Sequence, residues 1–482
     1  VIVSSESMFS QISLLDEMCM GKFTVEHLTT LQTVTKALRD EQFRFNVERG
    51  VLERLFAVLV RLYDEFRGLD EGRSVSLRLQ LTAECFRAHR NACVQCSHNQ
   101  CLLRDQGCIQ VSLGILGTLL KITTGDPDNL FDAIRCGIQF LGNIAVGNHL
   151  CKADIWGHAF PHMFLDLLEL CDEKATAYAC MVLHTCLDED KTEQLWTEPQ
   201  HLKVALKIME LCRTEPDIDW PFLIATQHFF RSSELTKRIY AEMNDQERLT
   251  LLELILAQLG EGKEEDCLIP PRTAQILASY FQNSCKSVLS LSSASSANDQ
   301  KALAVVRLLD ILCEMTSKTN FRTLQDHPDL LQSTVELLKE VHLLGKASKN
   351  VFSAAQDFSL TEPGGAASHP AVSFKAHLIR LIGNLCHGHM ANKDQIRELD
   401  GIALILDCCS IDSNNPFISQ WAVFAIRNIL EHNLENQKLV QGLKRQGVAD
   451  DSMLREMGFR VEQRDGSLLL RPLKKEEWHG DN

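Results

Sequence analysis

Aromatic residues make up only 6% of this 482-residue chain, with 5 Trp and 4 Tyr, and there are just 12 Pro and 25 Gly. So little Pro and Gly excludes collagen-like and low-complexity chains, while a hydrophobic fraction of 45% suffices for a folded core. No uninterrupted apolar run approaches the roughly 20 residues that span a bilayer, so membrane insertion is not expected. The amino terminus, VIVSSESMFSQISLLDEM, lacks the basic head and long apolar stretch of a signal peptide. It opens on Val1 rather than Met, which leaves the position of the natural start open.

Basic residues are the minority charge, 49 Lys and Arg against 64 Asp and Glu, for a net charge of −15. Such a surface repels phosphate backbones and argues against nucleic acid as a general partner, with room left for a local basic patch. Catalytic signatures are missing too. The chain has no G-x-x-x-x-G-K-[ST] loop, no G-x-G-x-x-G, no G-x-S-x-G and no H-E-x-x-H. The 17 His and many carboxylates show no convergent pair, so neither an enzyme nor a cofactor is expected.

Leucine and cysteine are abundant instead. The 18 Cys sit in leucine-rich helical patterns such as CIQVSLGILGTLLKI, where a free thiol packs as a small apolar group. A reducing cytosol or nucleus suits them better than disulfides do. Leu113, Leu116, Leu119 and Leu120 keep helical spacing, as do Phe164, Leu167, Leu168 and Cys171. Strand-like alternation appears once, in FRVEQRDGSLLLRPL, where Asp465-Gly466 can turn a small hairpin.

Repeats organise the rest. Four segments share one outline, a helix ending in Asn, a polar corner with a second Asn, and another helix: AHRNACVQCSHNQCLLRDQGCI, FLGNIAVGNHLCKADIWGHAF, LIGNLCHGHMANKDQIRELDGIALIL and AIRNILEHNLENQKLVQGL. The first Asn residues are Asn91, Asn143, Asn384 and Asn428. Asn99, Asn392 and Asn436 follow eight positions later in three of them, whereas Asn148 comes early in the fourth. The spacings, 52 residues from Asn91 to Asn143 and 44 from Asn384 to Asn428, lie near the roughly 40–47 of a helical repeat. Segments 26–66, 174–213 and 219–260 read as degenerate units without the Asn. The predicted fold is therefore all-α, an armadillo-like α-solenoid in two lobes separated by flexible loops, because a single unit cannot cover its own apolar face. Its expected divisions are an N-terminal repeat lobe (1–283), a Ser-rich loop (284–300), a helical segment (301–348), a flexible loop (349–373), C-terminal repeats (374–445) and a tail with the hairpin (446–482).

LIGNLCHGHMANKDQIRELDGI resembles an armadillo repeat, with its L-x-N-L helix ending, polar corner and Asp-Gly-Ile opening of the next helix. The stretch from Ser373 to Gln437 is similar to the C-terminal domain of the ataxin-10 family, including Asn415, Pro416, Phe417, Trp421 and Ala422. AECFRAHRNACVQCSHNQ resembles that family's N-terminal repeat, and GVADDSMLREMGFRVEQ its tail. The resemblance implies a cytoplasmic or perinuclear scaffold, found also at the midbody or centrosomal region. It implies roles in neuron survival, neurite outgrowth and cytokinesis, O-GlcNAc transferase and a heterotrimeric G-protein β subunit as partners, and self-association. None of this follows from composition or spacing, which support only a solenoid that binds proteins.

In an armadillo solenoid the repeated Asn faces the concave groove, where its amide offers a donor and an acceptor to an extended peptide. The plainer role is bracing its own loop, since Asn often bonds local backbone. Import adaptors of this fold carry Trp four residues before the Asn; here those positions are Arg87, Gln139, Arg380 and Phe424, which argues against binding basic signals. Arg87 and Arg380 suggest a groove for acidic groups. The expected partner-binding set is thus Asn91, Asn143, Asn384, Asn428, Arg87 and Arg380. A metal- or redox-active protein built on Cys93, Cys96, His98 and Cys101 is the rival, weakened by the lack of a second half-site; Cys386, His387 and His389 form a similar corner. Ser413 or Asn414 is expected to cap a helix with Pro416 in its first turn and Trp421 in the core.

Overall fold

The computed structural model describes residues 5–68, 75–260, 267–355, 369–410, 412–443, 459–464 and 467–472. They fall into two compact units, Val1–Met243 and Asn244–Asn482. The first carries helices α1 (Ser5–Met20), α2 (Val25–Ala37), α3 (Glu41–Asn46), α4 (Arg49–Arg67), α5 (Ser76–Ala92), α6 (Ser97–Asp105), α7 (Cys108–Leu119) and α8 (Pro127–Ala145). It continues through α9 (His149–Ala159), α10 (His162–Leu168), α11 (Glu173–Cys186), α12 (Glu189–Thr197), α13 (Pro199–Thr214), α14 (Asp219–Gln227) and α15 (Ser233–Glu242).

Leucine spacing makes these helices amphipathic. In α4, Val51, Leu52, Leu55, Val58, Leu59, Leu62 and Phe66 are all buried, one stripe at i, i+3, i+4 and i+7. Asp126, Asp172 and Asp188 start α8, α11 and α12 by accepting from the backbone N–H three residues on, at 3.3, 2.8 and 2.8 Å. Pro127 and Pro199 sit in first turns, where a missing N–H costs nothing. Helices group in threes, and the third helices α2, α5, α8, α11 and α14 pack each on the next. Phe86 of α5 and Phe140 of α8, both fully buried, stack with centroids 6.3 Å apart in that seam. Burying each ring contributes about 2–3 kcal/mol.

The second unit repeats the plan with α16 (Asp245–Gly260), α17 (Pro271–Ser284), α18 (Gln300–Thr316), α19 (Leu330–Ala347), α20 (Phe374–Cys386), α21 (Met390–Glu398), α22 (Gly401–Asp407), α23 (Ile418–Leu430) and α24 (Leu434–Gly442). A 3-10 segment, Thr319–Asp326, stands where a first helix would be. Here α16, α18, α20 and α23 form the line of packed third helices. Gly383 lets α20 approach α23: a Cβ there would lie 3.0 Å from the Ala425 Cα and the Phe424 ring. Each unit is thus an all-α solenoid, as the repeats predict.

Some details differ from the sequence reading. The division falls after Met243, because α17 and the serine-rich stretch pack on α18 and so belong to the second unit. That stretch is not an open loop: residues Cys285–Ser292 form 3-10 turns that bury Cys285, Val288 and Leu291. In the segment expected to be a flexible loop, Phe352 is buried, and residues 356–368 lie outside the described residues. The hairpin pairs β1 (Phe459–Arg464) antiparallel with β2 (Ser467–Pro472), from Phe459↔Pro472 to Arg464↔Ser467. Its Asp465-Gly466 turn lies outside the described residues, though the register leaves room for a two-residue turn. No helix among the described residues is long and apolar enough to cross a membrane.

Candidate functional site

The four repeated asparagines occupy one structural position, near the end of a third helix. Asn91 Nδ2 donates to the Thr35 carbonyl at 3.1 Å, Asn143 to Arg90 at 3.2 Å, Asn384 to Cys313 at 3.2 Å and Asn428 to Gly383 at 3.0 Å. Every acceptor belongs to the last four residues of the preceding third helix, where the regular bonds from the N–H four residues on run out. The amide therefore closes the end of the previous unit, and not its own loop. Asn384 donates also to Thr316 Oγ1 at 2.9 Å, so both its N–H groups are engaged. The Asn91 carbonyl oxygen accepts from Arg90. Those of Asn143, Asn384 and Asn428 accept no hydrogen bond among the described residues, and none of the three is sealed from solvent.

The second asparagine has a second job. Asn99, Asn392 and Asn436 each donate to the residue that follows the ladder Asn, at Ala92, Leu385 and Ile429 (3.0, 2.8 and 3.2 Å). Each also reaches back to the unit before, at Arg44, Gln325 and Lys393 (3.0, 2.9 and 2.7 Å). Asn148 belongs to a different position, five after the ladder Asn. It caps α9 through Cys151 N at 3.1 Å, as His389 caps α21 and Asn433 caps α24. Cys151 takes the place eight residues on, its thiol directed at the Gln100 carbonyl. A third device went unread in the sequence. Gln100 binds the carbonyls of Asn143 and Val146, Gln325 those of Asn384 and His387, and Lys393 that of Glu431, each tying a corner to the following helix end.

The two expected groove arginines are already paired. Arg87 makes a two-pronged contact with Asp132 on α8, at 2.6 and 2.8 Å, and another with Glu84 at 2.9 Å. Burial opposes its charge, but Cys136 and the bonded Asp132 and Glu84 outweigh that and raise its pKa above the ordinary value. Arg380 pairs with Glu314 at 3.0 Å and lies 4.9 Å over the Trp421 ring. Arg135 holds Asp172, and Arg90 donates to Gln139. The third-helix face of the first unit is thus latched by its own ion pairs.

The second unit differs. Asn384 and Asn428 line one cleft of about 470 Å³ with Lys318, Arg322, Gln325, His387, Phe424 and Arg427. Lys318, Arg322 and Arg427 make no ion pair or side-chain hydrogen bond among the described residues. Glu431, the carboxylate on the rim, lies 4.0 Å from Lys393 Nζ. Of these residues only Arg427, next to Asn428, was marked by its position in a repeat; Lys318 and Arg322 sit in a corner that has no ladder Asn.

The remaining candidates do not converge. Cys93 and Cys96 are buried, with burial pushing the Cys93 thiol well up, while His98 and Cys101 are exposed. His389 caps its helix with Nδ1 and donates from Nε2 to Asp326 at 2.8 Å. No group of three or more His, Cys, Asp or Glu among the described residues is placed to hold a metal ion. Ser413 and Asn414 do not cap α23. They bond the carbonyls of Ala355 and Ser353, and the helix starts after Phe417, which has a φ of 64°. Asn415 instead accepts from Ala376 N at the start of α20. Trp421 is half-exposed beneath Arg380 and not in the core.

The spinocerebellar ataxia type 10 protein domain matches residues 374–471, which include α20, the ladder pair Asn384 and Asn428, and the hairpin up to Arg471. Ataxin-10 of Xenopus tropicalis is 43% identical over 454 residues, covering 92% of this chain and 91% of that protein. Ataxin-10 of Homo sapiens is 38% identical over 455 residues, covering 93% and 94%. An ataxin-10 homolog of Dictyostelium discoideum is 46% identical over 105 residues, 22% of this chain. Identity of this level along nine-tenths of both chains places the protein plainly: it belongs to the ataxin-10 family.

Proposed function

We propose that the protein is a non-enzymatic scaffold that holds segments of partner proteins on the third-helix face of its second unit. The supporting observation is the cleft lined by Asn384 and Asn428 together with three cations that have no ion pair among the described residues. An extended chain offers backbone N–H groups to the asparagine oxygens, and its side chains meet the flanking cations. The family's partners, O-GlcNAc transferase and a heterotrimeric G-protein β subunit, and its roles in neurite outgrowth, neuron survival and cytokinesis belong to the same proposal. So does its expected place in the cytoplasm and at the perinuclear and midbody regions.

A steric block tests it without altering charge. Ser317 is exposed on the cleft wall, and Ser317→Trp fills the space. Affinity capture from lysate with the native chain and with this variant, both of verified helicity, should show partners lost by the variant. An unchanged set of captured proteins would remove the cleft from consideration. Self-association has its own support in Phe417, Val423 and Leu434 of the last repeat, which are 69%, 70% and 70% exposed. Sedimentation of Val423→Asp, Leu434→Asp should then show a smaller species than the native chain, and equal species would dismiss that face.

A further inference from the structure

We infer that this cleft selects acidic peptide segments, reading carboxylate or phosphate groups with Lys318, Arg322 and Arg427; the inference rests on the scaffold proposal above. The charge balance makes the arrangement informative. Acidic residues outnumber basic ones, 64 to 49, and the arginines of the third-helix face, Arg87, Arg135 and Arg380, each hold a carboxylate. Lys318, Arg322 and Arg427 hold none among the described residues, and all three line the same cleft. The one rim carboxylate, Glu431, sits by Lys393 and so does not offset them. Lys318 is half-buried while Arg322 and Arg427 are exposed, so the cost of bringing an anion to them is small. Arginine presents a flat fork of donors matched to carboxylate and phosphate oxygens.

The neighbours narrow the ligand to a peptide. The Oδ1 atoms of Asn384 and Asn428 are acceptors, placed one repeat apart, and they require donors from the ligand. A peptide backbone supplies N–H groups at regular intervals, whereas a nucleic-acid backbone supplies only further acceptors. Phe424, half-buried beside Asn428, gives an apolar wall against which a side chain between the acids can lie. The overall charge of −15 opposes long-range attraction of any polyanion, so recognition depends on these short-range contacts.

The probe is a set of fluorescein-labelled ten-residue peptide libraries, degenerate except for two fixed positions that are Glu, phosphoserine, Gln or Lys, with an oligothymidylate of similar length. Anisotropy titrations use the full chain, its Lys318→Glu, Arg427→Glu variant and the Ser317→Trp variant, with circular dichroism to confirm folding. The expected result is at least tenfold tighter binding of the Glu or phosphoserine library than of the Gln library. The charge-reversed variant should lose that preference and favour the Lys library. Tighter binding of phosphoserine than of Glu assigns the ligand to phosphorylated segments, and the converse to acidic runs. Equal binding of Glu and Gln libraries, both lost in Ser317→Trp, overturns acid selection while the scaffold reading stands. Binding unaffected by Ser317→Trp, or no binding by any library, overturns both. Oligothymidylate bound as tightly and lost on charge reversal overturns the peptide assignment.

Discussion

Replacing Asn384 tests whether the ladder is part of the fold. Its side chain is 7% exposed, and its amide donates to the Cys313 carbonyl and to Thr316 Oγ1. In Asn384→Ala both bonds vanish. Thr316 keeps its bonds to Leu312 and Cys313, so little is left stranded beyond the second lone pair of one carbonyl. The expected loss is therefore about 1–2 kcal/mol. For a unit of this size that lowers the melting temperature by about 2–8 °C. Asn384→Asp is the sharper perturbation. It keeps the shape and the outward acceptor, but turns an oxygen towards two other oxygens and adds a charge. It should cost more than Ala at neutral pH and recover as the solution is acidified and the carboxyl takes a proton. Calorimetry gives the magnitude, and hydrogen exchange of the second unit locates it. An Asp variant as stable as the native chain at pH 7 would refute the brace.

His89 is fully buried, its Nε2 without a hydrogen-bond partner among the described residues, and burial lowers its pKa to about 4 from 6.5. The unfolded chain takes the proton first, so stability from this group is complete above pH 6.5 and falls as pH drops towards 4, by about 3 kcal/mol in the limit. Denaturant titrations of His89→Phe should show a flatter acid limb over that window than the native chain. Arg87→Ala strands Glu84, which is 6% exposed, and should cost about 1–3 kcal/mol, against under 1 for Asp132→Asn; a double-mutant cycle that finds equal costs would contradict the latch. Cys101 and Cys171 are exposed, whereas burial raises the thiols of Cys85, Cys93 and Cys313, so iodoacetamide at neutral pH should label the first two well before the others, read by mass spectrometry.

The helices were legible because burial writes its period into the sequence, as the spacing within α4 and α7 shows. The ladder positions were legible because one residue type recurs at repeat distance. The direction of each amide was not: Asn143 beside its own corner and Asn143 beside Arg90 look the same in one dimension. Asn148 was misaligned for a similar reason, since capping and bracing positions both favour Asn and lie three residues apart. Arg87 and Arg380 looked available for a ligand because their carboxylates, Asp132 and Glu314, are 45 and 66 residues away. The basic cleft needed the fold itself, which brings a corner at Lys318 and Arg322 to Arg427, about a hundred positions on.

Because each ladder amide serves the helix before it, the array has a polarity. The ladder finishes a third helix from its successor, while Gln100, Gln325 and Lys393 of the corners tie the end of a third helix from the side before it. Cutting the chain just before α8 would take the Asn143 amide from the Arg90 carbonyl of α5, and removing the chain through Gln100 would open the Asn143 and Val146 carbonyls at the end of α8. During synthesis from the amino terminus, the ends of α2, α5, α18 and α20 therefore wait for the amide of a later repeat to emerge.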